Sequence, residues 1–388
     1  MDTEIVSTKF DEIRPLNDHE VKDAVESLVV NPEFKHALQY VMPDIDWEEF
    51  VQLMRSFDTK AAFKSMVARM AVTAIANKST FSLDISGRSR LTPGESYTFI
   101  SNHRDIVLDA SFLNLMLYQV GYGMTQVAIG DNLLIRPWIE TLVRLNNSVI
   151  VKRGLTGRQM LEASATLSAY LRHTIRETKE SVWIAQREGR AKDSDDRTQA
   201  SVLKMLNISG DKDFLTNIME MNIAPVSITY EYDPCDYLKA KEFQMKRDNP
   251  DFVKSPHDDL LSMETGILGN HGRVHFTLGR PINQMLAGMD KELDKATLIN
   301  TVASVIDREI FLHYRFYPGN YVAYDWLTGG NRFANAYSAK DKAFFGEYIQ
   351  RQLDRIDLPQ KDETFLRTKL LEMYANPLKN HLSVGGKA

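Results

Sequence analysis

From Tyr97 onward the chain repeats one pattern, a short apolar run followed by a stretch with helical spacing. The runs are Tyr97–Ser101, Gln126–Ile129, Ser148–Val151, Ser181–Ala185, Ala224–Tyr230 and Arg273–Leu278. Helical stretches at Ala110–Leu117, Pro137–Leu145, Arg158–Thr178 and Phe214–Met221 separate most of them. The runs are continuously apolar rather than alternating, so a strand formed from each must be covered on both faces. Strands of that kind joined by helices build a largely parallel sheet. The expected fold is α/β: a mostly parallel mixed sheet flanked by helices, with an N-terminal helical region and C-terminal helices. The expected divisions are 1–82, 83–330 and 331–388, with the first boundary near Ser82–Pro93.

Before the sheet the spacing predicts helices. Asn17 and Glu20 form a capping box ahead of Val21, Ala24, Val25 and Leu28. A helix is expected over Asp46–Phe57 and another over Thr59–Ala76. The latter carries Phe63, Met66, Val67, Met70 and Ala74 on one face, flanked by Lys60, Lys64, Arg69 and Lys78. Further helices are expected over 296–315 and about 340–375.

Composition excludes several function classes. Forty-seven Lys and Arg against 52 Asp and Glu give a net charge of −5, which disfavours nucleic acid as a partner. The single cysteine, Cys235, can form neither an internal disulfide nor a thiolate zinc cage, and suits a reducing compartment. Met1-Asp2-Thr3-Glu4 lacks the basic start of a secretory signal. The most apolar window, Ala110–Gly130, is interrupted by Asn114, Gln119, Gln126 and Gly121-Tyr122-Gly123, so it reads as helix, turn and strand rather than as a membrane span. No nucleotide phosphate loop, dinucleotide fingerprint or G-x-S-x-G elbow occurs. His271 and His275 fall on a strand pattern, not on one helical face, so no metal is expected.

What remains is a set of strand ends that empty into charge. Ile100-Ser-Asn102-His103-Arg104-Asp105 puts a histidine just past a buried strand, with carboxylates two and six residues on. A histidine held by an acid suits general-base work, and the carboxyl ends of parallel strands are where ligands bind. Lys152-Arg153-Gly154 ends another strand, and Arg187-Glu188-Gly189-Arg190-Ala191-Lys192 a third. From Lys152 to Lys192 there are 9 Lys or Arg against 4 Glu, a local excess of positive charge suited to an anion. Arg172, Arg176 and Lys179 within that stretch read as a solvated helix face. A fourth segment, Asn222-Ile-Ala-Pro225-Val-Ser-Ile-Thr-Tyr230, reads as a core strand.

In this order the four segments resemble the glycerolipid acyltransferase family, which includes glycerol-3-phosphate and lysophosphatidate acyltransferases. Asn102-His103-Arg104 matches the family's first motif, Arg153 after Val149-Ile-Val the second, Glu188-Gly189 with Arg190 the third, and Pro225-Val226-Ser227-Ile228 the fourth. The match spans about Thr98–Tyr230, and Val274–Ile282 looks like the family's closing strand. Two positions depart from the pattern. Leu108 stands where the aspartate is expected, leaving Asp109, or failing it Asp105, to orient His103. E-G-R-A-K replaces E-G-T-R-S, so either Arg190 or Lys192 takes the arginine role.

The resemblance implies that His103 deprotonates an acceptor hydroxyl, which attacks the thioester of acyl-CoA or acyl-carrier protein. It implies that Asp109 or Asp105 fixes the imidazole, that backbone N–H groups near Gly189 hold the oxyanion, and that no cofactor is needed. Arg104, Lys152, Arg153, Glu188, Gly189, Arg190 and Lys192 are the expected substrate-binding residues, and Asn102 and Pro225 structural members of the motifs. The implied acceptor is glycerol 3-phosphate or lysophosphatidate in phospholipid synthesis. Alternatives are another lyso-lipid such as an amino-acid lipid, or a non-catalytic lipid-binding role. Substrates of this kind imply peripheral contact with the inner face of the cytoplasmic membrane. The helix over 59–76 and the aromatic segment Phe316–Trp326 are the candidate contacts.

Overall fold

A computed structural model describes residues 9–387; Met1–Glu4, on which the absence of a secretory signal is read, lie outside them. Seven strands form one sheet in the order β1-β7-β6-β2-β5-β3-β4. They are β1 (Thr80–Ser86), β2 (Thr98–Ser101), β3 (Gln126–Gly130), β4 (Ser148–Val151), β5 (Val182–Ala185), β6 (Ile223–Tyr230) and β7 (Gly272–Leu278). Strands β6, β2, β5, β3 and β4 are mutually parallel, β7 runs antiparallel to β6, and β1 is parallel to β7. The fold is the mostly parallel mixed α/β sheet that the run pattern predicts.

The central strands alternate between two cores. Ile100, Val182 and Ile223 face a cluster with Leu167, Leu171, Leu203, Val302 and Ile306, from the helices Gly157–His173, Ala200–Asn207 and Lys295–Leu312. Phe99, Trp183 and Ala224 face the other way, against Phe112, Leu113 and Ile75, from the helices Leu108–Gln119 and Arg69–Ser79. Burial on both faces explains why the runs are continuously apolar. Strand β1 is not foreseen by the run pattern: its sequence T-F-S-L-D-I-S alternates, as an edge strand with one wet face should, and Phe81 is 87% exposed. It straddles residue 82, the expected end of the helical region.

The N-terminal helices Val21–Val29, Pro32–Val41 and Trp47–Arg55 pack with Phe63 and Val67 into a separate cluster that reaches Leu145. Asp46 and Thr59 cap their helices through backbone N–H groups. The helix expected from Thr59 is wound as Lys60–Phe63, a π turn Lys64–Ala68, and Arg69–Ser79. Its apolar face is split, with Phe63 and Val67 buried and Met66 and Met70 exposed, and Lys64 is buried rather than flanking. The aromatic segment is also a correction. Helix Pro318–Thr328 packs on Glu363–Ser383, and Tyr317, Val322 and Ala323 are buried, so this segment is interior and not a membrane contact. Arg172 is no solvated helix face either, since it pairs with Glu220 at 2.5 Å and donates to the carbonyls of Leu206 and Asn217.

A buried ion pair ties the loop after β2 to the C-terminal half. Arg104 pairs with Asp196 at 2.7 Å, both nearly solvent-free, and Tyr314 Oη donates to the same carboxylate at 2.7 Å. Burial works against the Arg104 charge, but the Asp196 carboxylate outweighs it and holds the guanidinium above its ordinary value. Removing one partner strands the other's charge. Asp196→Ala should therefore lower unfolding free energy by about 3–5 kcal/mol in urea melts, and Arg104→Met with Asp196→Leu by much less. A double variant as unstable as the single one would contradict this.

Candidate active site

The site is built at the rim where β2, β5, β3 and β4 all end. Strand β2 stops at Ser101, and residues 102–107 turn the chain into helix Leu108–Gln119. Asp105 Oδ1 makes the turn by accepting from the N–H groups of Val107 and Leu108, both at 2.8 Å. That places Asp109 in the first helical turn, with its carboxylate aimed back at the loop. Its Oδ2 accepts from the Arg104 N–H at 2.6 Å, the Asp105 N–H at 3.2 Å and His103 Nδ1 at 2.7 Å. Asp109, and not Asp105, is thus the carboxylate that meets His103.

The pair is graded in exposure: the Asp109 side chain is 1% exposed and that of His103 14%. A carboxylate on Nδ1 fixes the tautomer with the proton there and leaves Nε2 as the free acceptor. Trp183 stands edge-on to the imidazole at 5.7 Å and is itself held by Ser101 Oγ at 3.0 Å. Asp109 Oδ1 and Tyr230 Oη are both buried without a hydrogen-bond partner among the described residues. Burial, then the charges of Asp109 and Asp105, pushes the Tyr230 hydroxyl well up and keeps it protonated. Tyr230 closes β6 and reads in the sequence as plain core; that a core strand ends in a hydroxyl is the available signal.

His103 opens into a chamber of about 1510 Å³. Lys152, Arg153, Arg187, Glu188, Gly189, Arg190 and Lys192 line it as well, so the three charged strand ends do converge. The Arg153 N–H donates to Asp131 at 3.0 Å, and its guanidinium meets Glu188 at 2.5 Å. Arg153 Nε, Arg187 Nε and Arg190 Nη1 are buried N–H groups without a partner among the described residues. Lys192 is taken up by Glu242, which Lys246 also holds, whereas Arg190 keeps a free N–H. Burial lowers the Lys192 pKa, against the pull of Glu242. Gly189 has a left-handed φ of +68°, with open space where a side chain would stand.

Besides Asp109 and Asp105, which stand behind His103, three of the residues expected at the site lie off the chamber. Arg104 is a correction: its guanidinium is consumed by Asp196 and faces the protein interior, not a substrate. Asn102 bridges strands, donating to Ile228 O at 2.9 Å and accepting from Ile228 N at 2.8 Å. Pro225 sits opposite Ile100 in the centre of the sheet, and its carbonyl accepts from Gly279 N at 2.7 Å.

The rest of the chamber is apolar. Leu38 and Val41 of helix Pro32–Val41, Val72 of Arg69–Ser79, and Leu142 of Pro137–Leu145 contribute walls, with Val127 and Ile129 of β3 as floor. The N-terminal helices therefore close a long apolar space beside the histidine. Amphipathic spacing signals that they have a buried face but not which surface it meets.

Residues 82–230 match the family model described as Acyltransferase. No curated protein matches the sequence. Among solved structures, the 1-acyl-sn-glycerophosphate (LPA) acyltransferase PlsC from Thermotoga maritima is similar over 75% of this chain and 97% of that one, at 12% identity and a TM-score of 0.39. The family match falls on the strands and loops that carry His103, Arg153, Glu188 and Pro225, so residues 82–230 form an acyltransferase domain and the protein is an acyltransferase enzyme.

Proposed function

We propose that this enzyme moves a fatty acyl group from acyl-CoA or acyl-carrier protein to a hydroxyl of glycerol 3-phosphate or lysophosphatidate, in phospholipid synthesis. One observation carries the reading: an Asp109-anchored imidazole opens into a chamber that is apolar on one side and lined on the other by three arginines with free N–H groups. An acyl chain suits the first side and a phosphate the second.

The geometry supports the following steps. His103 Nε2 takes the proton of the acceptor hydroxyl as its oxygen attacks the thioester carbonyl. Asp109 stabilises the resulting imidazolium, which returns the proton to the departing thiolate. Backbone N–H groups near Gly189 would stabilise the oxyanion, a contribution of ~3 kcal/mol in well-measured sites. Arg153, Arg187 and Arg190 would bind the acceptor's phosphate. Glu188 would give up Arg153 as the anion arrives, and exposed Lys152 would add long-range attraction.

No helix among the described residues is long and apolar enough to cross a membrane. Lipid substrates would then be taken from the inner surface of the cytoplasmic membrane, where exposed Tyr40 and Met160 at the chamber can meet acyl chains. The direct test is to incubate purified protein with labelled acyl-CoA or acyl-carrier protein and a panel of acceptors, then identify the product. A product formed only on an amino-acid lipid would replace the acceptor assignment, and no product on any acceptor would overturn the reading.

His103→Ala should cut turnover by roughly 10²–10⁴-fold without changing the melting temperature, since a general base contributes about that much. Asp109→Asn should be severe as well, because an amide on Nδ1 favours the wrong tautomer, while Asp105→Asn should act mainly by loosening the turn. Turnover measured at saturating substrate ranks the two, and a worse loss at Asp105 would contradict the assignment.

Arg153→Ala should raise the Michaelis constant for a phosphate-bearing acceptor by roughly ten- to a hundredfold and leave that of the donor nearly unchanged. Arg153→Lys should recover part of it. Equal damage to both constants would place Arg153 with the donor or the fold.

A further inference from the structure

The inner end of the chamber holds a charge that the reaction above does not use. Lys64 begins the π turn, is 6% exposed and lines the chamber. Its Nζ donates to Thr125 O at 2.7 Å, leaving two of the three donors of an ammonium unassigned. Asn114 accepts from Thr125 N at 2.6 Å and lines the chamber beside it. The β3–β4 ladder begins at Val127 and Ser148, and the Val127 N–H donates to Asn147 O at 3.3 Å, so Asn146 lies at the same end of β3 as Thr125. Asn146 also lines the chamber, and its Oδ1 is buried with no partner among the described residues. Asn114 lies five residues beyond Asp109 on its helix, ~7.5 Å further in at 1.5 Å per residue. The polar group thus sits just before β3 begins, at the opposite end of that strand from the rim that carries Arg153, Arg187 and Arg190.

A buried ammonium and an unpaired amide oxygen are costly neighbours for a plain hydrocarbon. We propose that Lys64 and Asn146 form a polar subsite, within the acyl chamber, that holds a hydroxyl group borne on the acyl chain. The inference rests on the reading of the chamber as an acyl site. A hydroxyl both donates and accepts, so it can take a hydrogen bond from Lys64 and give one to Asn146. A carboxylate could satisfy only the donor and would face the amide oxygen. Burial also pulls Lys64 down to about 7, with Glu180 opposing and Lys60 assisting, so near neutrality much of the amine is uncharged. A neutral partner fits such a group better than an anion does.

The test measures displacement of a fluorescent fatty acid from the purified full-length protein. The competitors are octadecanoic acid and its singly hydroxylated isomers, with the hydroxyl moved along the distal half of the chain. At least one isomer should bind roughly five- to twentyfold more tightly than the unsubstituted acid, the gain expected of one or two buried hydrogen bonds. Lys64→Met, close in volume and without the charge, should erase that difference, and Asn146→Ala should reduce it. Thermal melts of both variants verify that they fold. If no isomer outcompetes the unsubstituted acid, or if the preference survives Lys64→Met, the subsite is refuted while the acyl chamber stands. If no chain binds at all, the chamber reading itself falls and takes the subsite with it.

Discussion

A single carboxylate oxygen organises the site. Asp109 Oδ2 accepts from two successive backbone N–H groups and from the His103 ring, so loop and imidazole are positioned by the same atom. Neighbouring contacts leave the loop little freedom. Asn102 is bonded to both backbone groups of Ile228, the Arg104 side chain to Asp196 and its carbonyl to Lys239, and Asp105 to its own turn. Such a loop is set before substrate arrives, which is how a general base avoids spending binding energy on its own ordering.

These contacts exist because of what a parallel sheet demands. Its strands must all end on one rim, and groups that lie far apart in the chain meet there with no extra chain length between them. His103, Arg153 and Arg190 converge for that reason. The same demand dictates the continuously apolar runs, and so it makes both the sheet and its charged ends legible in the sequence. Motif order then links the ends to one chemistry.

What stays illegible is equally physical. Leu108 at the expected aspartate position suggests one inserted residue. Which carboxylate compensates depends on helix phase, because a side chain in the first turn can point back at the loop while one in the turn itself caps the N–H groups ahead of it. Arg104 looks like a ligand for substrate because charge is visible in sequence and its partner, 92 residues away, is not. Strand β1 looks like linker because an edge strand carries only half of the apolar signal. Lys64 looks solvated because lysine usually is; only the packing of three helices over the chamber buries it.

The π turn at Lys64–Ala68 has a consequence for how this part of the chain tolerates change. A π turn holds one residue more than an α turn. If the same residues wound as regular α-helix instead, the extra residue would rotate everything upstream by about 100° relative to everything downstream. Phe63 would leave the N-terminal core as Val72 kept its place on the chamber wall. The two faces of this helix serve different cores, and the wide turn is the phase offset that lets one helix serve both. The turn itself is therefore what keeps the two cores aligned: a substitution that let it tighten would change the alignment of both, whereas loss of one residue would remove the turn and leave that alignment standing.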